Sequence, residues 1–518
     1  MLKITKPNTP ILLILFIFLF QSCTFIIYAG TPEATDRINN LIPKPLFAET
    51  TGGAFTLKEG MKIQAGQTAR DVGQYLADKL NASTGFNITV TPEEGDIVLR
   101  LDEKDVALGE EGYALKITQN KVELSAYKTP GLFYGIQTIR QLLPPEIESS
   151  SVRNIKWEIP TGVVRDRPRF QWRGAMLDVA RHFFSTDDVK KYIDLLAQYK
   201  FNRFHLHLSD DQGWRIEIKS WPKLTEIGGS GSVNNEKPGF YTQEEFSGII
   251  KYAAERFITV IPEIDMPGHT HAALVSYPEL NCDDSIRTPY TGIAVGFSSL
   301  CIDKDITYQF VKDVVREISA LLPGEYFHVG GDEASSTDLS DYIRFIDSVQ
   351  NIVNSNGKKM VGWEEIIQTD LKKSSVAQLW RGKAGREAAD KGAKVILSPA
   401  PKIYIDMKYD STTVLGLNWA AYIEVNDAYD WKPEEYIQGV TEYDILGIEA
   451  PLWSETLTTF DHIEFLAFPR ILGVAEIAWS QKHARNWNEY KLRLGNHGTR
   501  LNIMQIDFYK SPFVEWND

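Results

Sequence analysis

The sequence predicts an α/β protein in which a (β/α)8 TIM barrel follows a small α/β accessory domain. Eight short apolar runs occur between residues 174 and 455, and helical patterns separate most of them. Near-continuous apolar strands that alternate with helices are typical of a parallel sheet covered on its outer face. Eight such units fit a closed barrel. An open doubly wound sheet is the alternative, but no glycine-rich phosphate motif follows the first run.

The chain divides into four predicted segments. They are an export signal, the accessory domain, the barrel and a C-terminal tail: 1–30, 31–162, 163–505 and 506–518. Within the accessory domain, alternating apolar positions around "TQNK" predict a hairpin over 112–127. Helical spacing follows over 131–143.

The predicted barrel strands and helices alternate from residue 174 onward. The strands lie at 174–180, 203–210, 258–265, 326–333, 359–365, 376–382, 393–400 and 445–455. The helices lie at 187–199, 243–256, 307–322, 338–356 and 461–479. In such a barrel the carboxyl ends of the strands converge on one mouth, where chemistry takes place.

The first thirty residues have the layout of a secretory signal. Lys3 and Lys6 precede the apolar run "ILLILFIFLF", and small residues follow it. Cys23 in "FQSC" fits a lipoprotein cleavage site and would become the lipidated first residue. Cleavage near Ala29 and an uncleaved membrane anchor are the alternatives. We expect an exported protein, either a periplasmic or outer-membrane (cell-surface) lipoprotein or a secreted one.

The charge distribution limits the possible partners. The formal net charge is −14, and no block of lysine and arginine follows the first few residues. Nucleic acids require clustered cations for their phosphates, so no nucleic-acid partner is expected.

The few cysteines allow one internal cross-link. The chain holds three cysteines, and Cys282 and Cys301 remain as a pair if Cys23 is lipidated or removed. Export would make a disulfide between them possible. Two reduced, buried thiols are the alternative.

Polar side chains end most of the predicted barrel strands. They are Asp178, Asp210, Asp265, Asp332, Glu333, Glu364, Glu365, Arg381 and Glu455, with Trp363, Trp380 and Trp453 among them. Carboxylates bind hydroxyls and move protons, and indole faces can stack on the C–H faces of a pyranose. Each tryptophan taken singly also fits a core position. Together these residues favour a site that cleaves sugars.

Two of these acids, Asp332 and Glu333, stand side by side in "YFHVGGDEASS". Most isolated Asp-Glu pairs form solvated surface turns, but this pair follows a stretch typical of a buried strand. Adjacent residues of an extended backbone point to opposite sides, so the two carboxylates are expected to act from two directions. Gly330 and Gly331 allow the backbone to turn tightly and to approach a ligand.

Six stretches together resemble glycoside hydrolase family 20, the β-N-acetylhexosaminidases. In chain order they are "WRGAMLDVARHF", "HLHLSDDQGWRIEI", "PEIDMPGH", "HVGGDE", "GWEE" and "LWSE". The segment "EGYALKI…GLFYGIQTIRQLL" resembles the accessory domain that precedes the barrel in that family. The resemblance covers residues 35 to 500, and the N-terminal signal indicates an exported bacterial member.

The resemblance implies a retaining exo-β-N-acetylhexosaminidase that removes terminal N-acetylglucosamine or N-acetylgalactosamine. In this family the 2-acetamido oxygen of the substrate attacks C1, and an oxazolinium intermediate forms. Glu333 would be the general acid and then the base, while Asp332 would orient the acetamido group. A negative neighbour disfavours ionisation, so Asp332 should help to keep Glu333 protonated near neutral pH.

The resemblance also implies supporting roles. Arg173 would grip the 3- and 4-hydroxyls of the sugar, because its planar fork of donors suits vicinal oxygens. Asp210 and His269 would tune the general acid from behind. Glu263 and Asp265 are interpreted as hydrogen-bonding supports and not as proton carriers.

Further residues are implied to bind the substrate. Tyr404 would hydrogen-bond the acetamido oxygen, and Asp406 would bind the 4- or 6-hydroxyl with the help of Glu455. The pocket walls would be Trp363, Trp380 and Trp453.

The expected partner is an oligosaccharide or glycoconjugate that ends in a β-linked N-acetylhexosamine. "HLH" and "HTH" could suggest metal ligands, but no further ligands stand at characteristic spacing, so neither a metal nor a cofactor is expected. Two other functions remain open. One is a two-carboxylate retaining glycosidase with Glu333 as acid and Glu455 as nucleophile, and the other is a non-catalytic exported sugar-binding lipoprotein.

Overall fold

The computed structural model describes residues 37–382 and 384–517. The predicted export signal, including Cys23, lies outside the described residues. The described chain forms an open seven-stranded sheet followed by a closed eight-stranded barrel. No helix in this part of the chain has both the length and the apolar character needed to cross a bilayer.

The strands and helices alternate through most of the described chain. The strands are β1 (Phe47–Thr56), β2 (Lys62–Ala65), β3 (Thr89–Thr91), β4 (Ile97–Leu101), β5 (Tyr113–Ile117), β6 (Val122–Ala126), β7 (Glu158–Asp166), β8 (Trp172–Asp178), β9 (Arg203–His207), β10 (Thr259–Glu263), β11 (Tyr326–His328), β12 (Lys359–Trp363), β13 (Val376–Leu379), β14 (Lys394–Leu397) and β15 (Ile445–Ala450). The helices are α1 (Arg70–Thr84), α2 (Thr129–Leu142), α3 (Thr186–Gln198), α4 (Lys223–Glu226), α5 (Gln243–Ala254), α6 (His271–Ser276), α7 (Asp305–Leu321), α8 (Leu339–Ser355), α9 (Gly385–Asp390), α10 (Ala400–Ile403), α11 (Val425–Tyr429), α12 (Pro433–Tyr436), α13 (Phe460–Ala467), α14 (Arg470–Trp479) and α15 (Trp487–Ile503).

The first sheet has the strand order β1-β7-β5-β6-β4-β2-β3, and helices α1 and α2 pack against it. β5 and β6 form the predicted hairpin, in which Ile117 pairs with Val122. β7 runs across the predicted domain boundary between residues 162 and 163 and pairs with both β1 and β5. The accessory sheet therefore extends to Asp166.

The barrel closes in the order β8 to β15, and β15 pairs in parallel with β8. The residues of these strands are buried almost throughout. Burial on both faces is expected where side chains fill the inside and helices cover the outside. The predicted eight-stranded barrel is confirmed, and the open sheet is not.

The C-terminal helices differ from the prediction. The predicted helix 461–479 is divided into α13 and α14 around Pro469, which has no N–H to donate and whose ring obstructs the preceding turn. Helix α15 has no predicted counterpart, and it begins after Asn486, whose side chain accepts a hydrogen bond from the N–H of Glu489. The predicted tail buries several apolar side chains: Ile506, Phe508 and Val514.

Candidate active site

The strand that carries the adjacent acids ends earlier than predicted. β11 stops at His328, and the backbone then turns at Gly330 and Gly331, which have φ values of 65° and 98°. A Cβ atom on Gly330 would lie 1.9 Å from Oδ1 of Asp265, which accepts the N–H of Gly331. Both the conformation and the close approach therefore require glycine at position 330. Glu333 has a φ of 45°, which is uncommon for a residue with a Cβ atom.

The turn brings both acidic side chains to the same histidine. Nε2 of His269 lies 3.7 Å from Oδ2 of Asp332 and 3.8 Å from Oε2 of Glu333. The expectation of carboxylates on opposite sides assumed an extended backbone, and the left-handed turn removes that geometry. Oδ1 of Asp332 is buried without a hydrogen-bond partner among the described residues, whereas 26% of the Glu333 side chain is exposed. Asp332 can thus accept a ligand N–H, and Glu333 can reach a leaving group.

The surroundings favour the protonated form of Glu333. Burial raises its pKa and the charge of Asp332 raises it further, while His269, Arg381 and Arg181 oppose the rise. The net pKa shift is upward, which suits a group that must deliver a proton near neutral pH.

Asp210 supports His269 from behind. Oδ1 of Asp210 lies 3.1 Å from Nδ1 of His269, and Oδ2 lies 2.8 Å from Nη2 of Arg181 and 2.8 Å from Nε2 of His207. Burial alone would raise the pKa of Asp210, but Arg181 and His269 outweigh it and keep the carboxylate ionised. Burial also disfavours the charged form of His269 and lowers its pKa. The charges of Asp210 and Asp332 outweigh burial and raise that pKa well above its usual range. The two groups therefore form a buried ion pair.

Four aromatic side chains meet next to the acids. The ring centroids of Trp363 and Trp453 lie 5.7 Å apart, and that of Tyr404 lies 6.2 Å from Trp453. Trp380 stacks with Tyr404 at an interplanar angle of 15°. Burial raises the pKa of Tyr404, and the charge of Asp332 raises it further, which places the phenol beside the acids. These residues lie at or beyond the ends of different strands, so closure of the barrel brings them together.

Asp406 and Glu455 form a second pair of acids at this end of the barrel. Burial raises the pKa of Asp406, and the neighbouring Glu455 raises it further. Both carboxylate oxygens of Asp406 are buried without hydrogen-bond partners in the described chain. Such a carboxyl group is suited to bind sugar hydroxyls.

Arg173 is not part of this site, and its predicted role is wrong. It is the second residue of β8, and its guanidinium donates to both carboxylate oxygens of Glu111 at 2.8 Å and to the carbonyl oxygen of Lys200. Residues at the start of a barrel strand lie at the end opposite the mouth. Arg173 therefore joins the barrel to the accessory domain.

The arginine at the mouth is Arg181, for which the sequence motifs predicted no role. Its buried side chain has Nη2 2.8 Å from Asp210 and Nη1 3.4 Å from Asp178. Its guanidinium lies over the ring of Trp453 at 4.9 Å. The available signal was position within "WRGAMLDVARHF", because only the second arginine follows Asp178, where the strand ends.

Cys282 and Cys301 are joined by a disulfide whose sulfur atoms lie 2.11 Å apart. The loop between them contacts the site. Oγ of Ser298 donates to Oδ1 of Asp211 and accepts the N–H of Thr270 at 3.0 Å. The disulfide thus anchors a loop that supports the residues next to Asp210 and His269.

Several histidines and acids inside the barrel come close enough to hold a metal ion. Ligand atoms of His205, Glu263 and His328 lie within 4.8 Å of one another. These atoms already face other protein groups, since His205 lies between Glu263 and Glu449, and Glu263 also accepts the indole N–H of Trp363. We therefore assign no metal site to them.

Two family models match the chain. "Glycosyl hydrolase family 20, catalytic domain" matches residues 170–482, and "Glycosyl hydrolase family 20, domain 2" matches residues 39–167. A "Beta-N-acetylhexosaminidase" of Cellulomonas fimi is 39% identical over 487 residues, which are 92% of this chain and 97% of the relative.

Solved structures agree with these matches. The Streptomyces plicatus N-acetyl-beta-hexosaminidase in complex with Thio-NAglucal is 47% identical, with a TM-score of 0.91, and covers 93% of this chain and 98% of that one. A mutant Streptomyces plicatus beta-hexosaminidase in complex with product (GlcNAc) has the same identity and coverage and a TM-score of 0.90. The chain therefore belongs to glycosyl hydrolase family 20 and is a glycoside hydrolase.

Proposed function

We propose that the protein is a retaining exo-β-N-acetylhexosaminidase that uses the acetamido group of its own substrate as the nucleophile. The observation that carries the proposal is the convergence of Asp332 and Glu333 on His269 beside an aromatic pocket. This arrangement suits one proton donor and one group that stabilises a positive charge. The complexes of the Streptomyces plicatus relative with Thio-NAglucal and with GlcNAc support it.

The first proposed step breaks the glycosidic bond. The acetamido oxygen attacks C1 while Glu333 gives its proton to the glycosidic oxygen, so the aglycone leaves and an oxazolinium ion forms. Oδ1 of Asp332 accepts the acetamido N–H and stabilises the positive charge, and the hydroxyl of Tyr404 donates to the acetamido oxygen. In the second step the ionised Glu333 takes a proton from water as the water oxygen attacks C1, and the bond between C1 and the acetamido oxygen breaks, which restores the acetamido group and gives net retention.

The same end of the barrel offers groups for the remaining hydroxyls. Arg181, and not Arg173, binds the 3- and 4-hydroxyls of the sugar, because its planar donors lie at the mouth. Asp406 and Glu455 supply acceptors and donors for the 4- and 6-hydroxyls. Arg181 and Asp406 are buried and Glu455 is half-buried, which favours a pocket that admits a single terminal sugar. The substrate is thus a glycan that ends in N-acetylhexosamine.

The two other functions receive less support. A two-carboxylate mechanism would need an ionised nucleophile, but burial raises the pKa of Glu455, and Asp178 adds to the rise against the pull of Arg181. A raised pKa disfavours the ionised form that a carboxylate nucleophile needs. A non-catalytic sugar-binding protein would not need the acid pair together with the buried His269 and Asp210 behind it.

A comparison of chromogenic substrates tests the proposal. The 4-nitrophenyl β-glycosides of N-acetylglucosamine, N-acetylgalactosamine and glucose are hydrolysed with and without N-acetylglucosamine-thiazoline, which mimics the oxazolinium ion. We expect turnover of the N-acetyl sugars only, and competitive inhibition by the thiazoline. Equal rates on the plain glucoside, or a covalent sugar ester trapped on a side chain, would contradict the mechanism.

We also propose that the protein is exported and that Cys23 carries a lipid. Lys3, Lys6 and the apolar run that follows them support export. The disulfide between Cys282 and Cys301 supports it as well, because disulfides persist mainly in oxidising compartments. Mass spectrometry of the mature N-terminus distinguishes a lipidated Cys23 from cleavage near Ala29 and from an intact signal.

A further inference from the structure

The inside of the barrel beneath the pocket holds ionisable groups that the proposed mechanism does not use. We call them the barrel-core cluster: His205 and His207 of β9, Glu263 of β10, His328 of β11 and Glu449 of β15. All five side chains are inaccessible to solvent. Burying so many titratable groups costs free energy unless each group is paired with a neighbour.

Glu263 lies at the centre of the barrel-core cluster. Its Oε2 lies 2.5 Å from Nδ1 of His207 and 3.0 Å from Nε2 of His205. Its Oε1 accepts the indole N–H of Trp363 at 2.8 Å and lies 3.0 Å from Nδ1 of His328. The carboxylate of Glu263 thus contacts both Trp363, a wall of the sugar pocket, and His207, which lies behind the Asp210–His269 pair.

His207 lies between two carboxylates. Its Nδ1 is 2.5 Å from Glu263, and its Nε2 is 2.8 Å from Asp210. A neutral imidazole carries one N–H and would present a lone pair to one of these carboxylates, whereas a doubly protonated ring donates to both. Burial lowers the pKa of His207, but Glu263 and Asp210 outweigh burial and raise it to about 10.

We propose that Glu263 is a positioning residue that keeps His207 doubly protonated and thereby sets the charge behind the Asp210–His269 pair and the general acid Glu333. The inference rests on the proposed function, in which Glu333 donates the proton. Without the charge of Glu263, His207 loses a proton. The site then lacks a positive charge close to Asp210 and a negative charge one side chain farther away. The lost positive charge of His207 lies closer to Glu333 than the lost negative charge of Glu263, so its effect dominates and the pKa of Glu333 rises.

The other groups that face His207 do not replace Glu263. A carboxylate oxygen of Asp265 lies within 4.8 Å of a ring nitrogen of His207, but burial raises the pKa of Asp265 well above its usual range and favours its neutral form. Asp178 on β8 pairs with His207 in register, but its carboxylate already accepts from the N–H of Ala180 and from Arg181. From beyond β15, Trp453 presents an uncharged ring at 4.9 Å. Of the charged groups around the ring, Glu263 therefore holds Nδ1, and Asp210 holds Nε2.

Glu263→Gln separates the charge from the hydrogen bonds. The amide oxygen still accepts from Trp363, and the amide N–H can donate to a neutral His207. We expect ¹⁵N-histidine NMR of the substrate-free enzyme at pH 8 to show both nitrogens of His207 protonated in the wild type and one in the variant. Buried His497, whose pKa is lowered to about 3 chiefly by burial, provides a neutral reference in the same spectrum. In the variant, the basic limb of the pH profile of kcat/KM should move to higher pH by about half a unit.

Glu449→Gln is the matched control. It removes another buried carboxylate, which contacts His205, Gln378 and Trp172. We expect the control to be less stable but to keep His207 doubly protonated and the basic limb unchanged. A neutral His207 in the wild type at pH 8, or an equal pH shift in both variants, would overturn the inference.

The wild-type spectrum decides the protonation state even if Glu263→Gln does not fold. It is recorded without a sugar, so its outcome is independent of the substrate tests of the proposed function.

Discussion

Arg381 and Glu333 face each other at the mouth of the pocket, with Nη2 of Arg381 3.4 Å from Oε1 of Glu333. The guanidinium stacks on Trp380 with Cζ 3.9 Å from the ring centroid, and 46% of the Arg381 side chain is exposed. This cation lowers the pKa of an acid that burial and Asp332 raise. The pH range of activity therefore depends on opposing contributions that can be removed separately.

Arg381→Gln should move the basic limb of the kcat/KM profile to higher pH. In the proposed mechanism Glu333 acts while protonated, so activity should fall as the pH rises through its pKa, and loss of a nearby cation raises that pKa. We expect a shift of about half a pH unit, because solvent screens an exposed arginine. Arg386→Gln is the control, since Arg386 is exposed and pairs with Asp390. A limb that stays in place or moves to lower pH would show that Arg381 does not act on Glu333.

Glu333→Gln should lower kcat/KM about 100-fold or more on a natural disaccharide, which is the scale of general acid catalysis. An aryl glycoside with a good leaving group needs less protonation, so its first step should suffer less. Rates measured with a series of phenol leaving groups check both statements. An equal loss across the series would argue against a proton donor at this position.

Asp332→Asn should reduce turnover severely and leave the fold intact. The neutral amide removes the negative charge that stabilises the oxazolinium ion, while its size and its position in the turn are kept. Thermal unfolding followed by circular dichroism checks the fold, and affinity for the thiazoline checks the charge. Near-normal turnover together with unchanged thiazoline affinity would refute the assigned role.

Arg173→Gln should destabilise the protein by about 3 kcal/mol, because it leaves the carboxylate of Glu111 without its bidentate partner. The kcat and KM of the folded enzyme should stay near normal, since Arg173 lies at the far end of the barrel. Arg181→Gln provides the contrast, with an expected rise in KM of about tenfold or more. Urea unfolding and steady-state kinetics measure both effects, and a KM defect in Arg173→Gln would restore its predicted role.

Much of the fold could be predicted from local sequence patterns. The alternation around "TQNK" placed the β5–β6 hairpin, and the eight apolar runs placed the barrel strands. Strand ends were less accessible. β11 stops at His328, and the backbone then turns at Gly330, where the side chain of Asp265 beyond the end of β10 leaves no room for a Cβ atom. The pattern of apolar residues along the chain does not predict the contact between Gly330 and Asp265.

The sequence by itself determined the two adjacent acids, the aromatic set and the barrel that brings them together, because each depends on residue type and on periodicity along the chain. Tertiary contacts decided which arginine serves the mouth, because Asp210 binds Arg181 beyond the end of β8 and Glu111 of the accessory domain binds Arg173 near its start. They also decided that Asp332 and Glu333 converge on one histidine, because a left-handed turn held by Asp265 replaces the extended backbone. Both outcomes arise from contacts between distant segments, which local spacing does not encode.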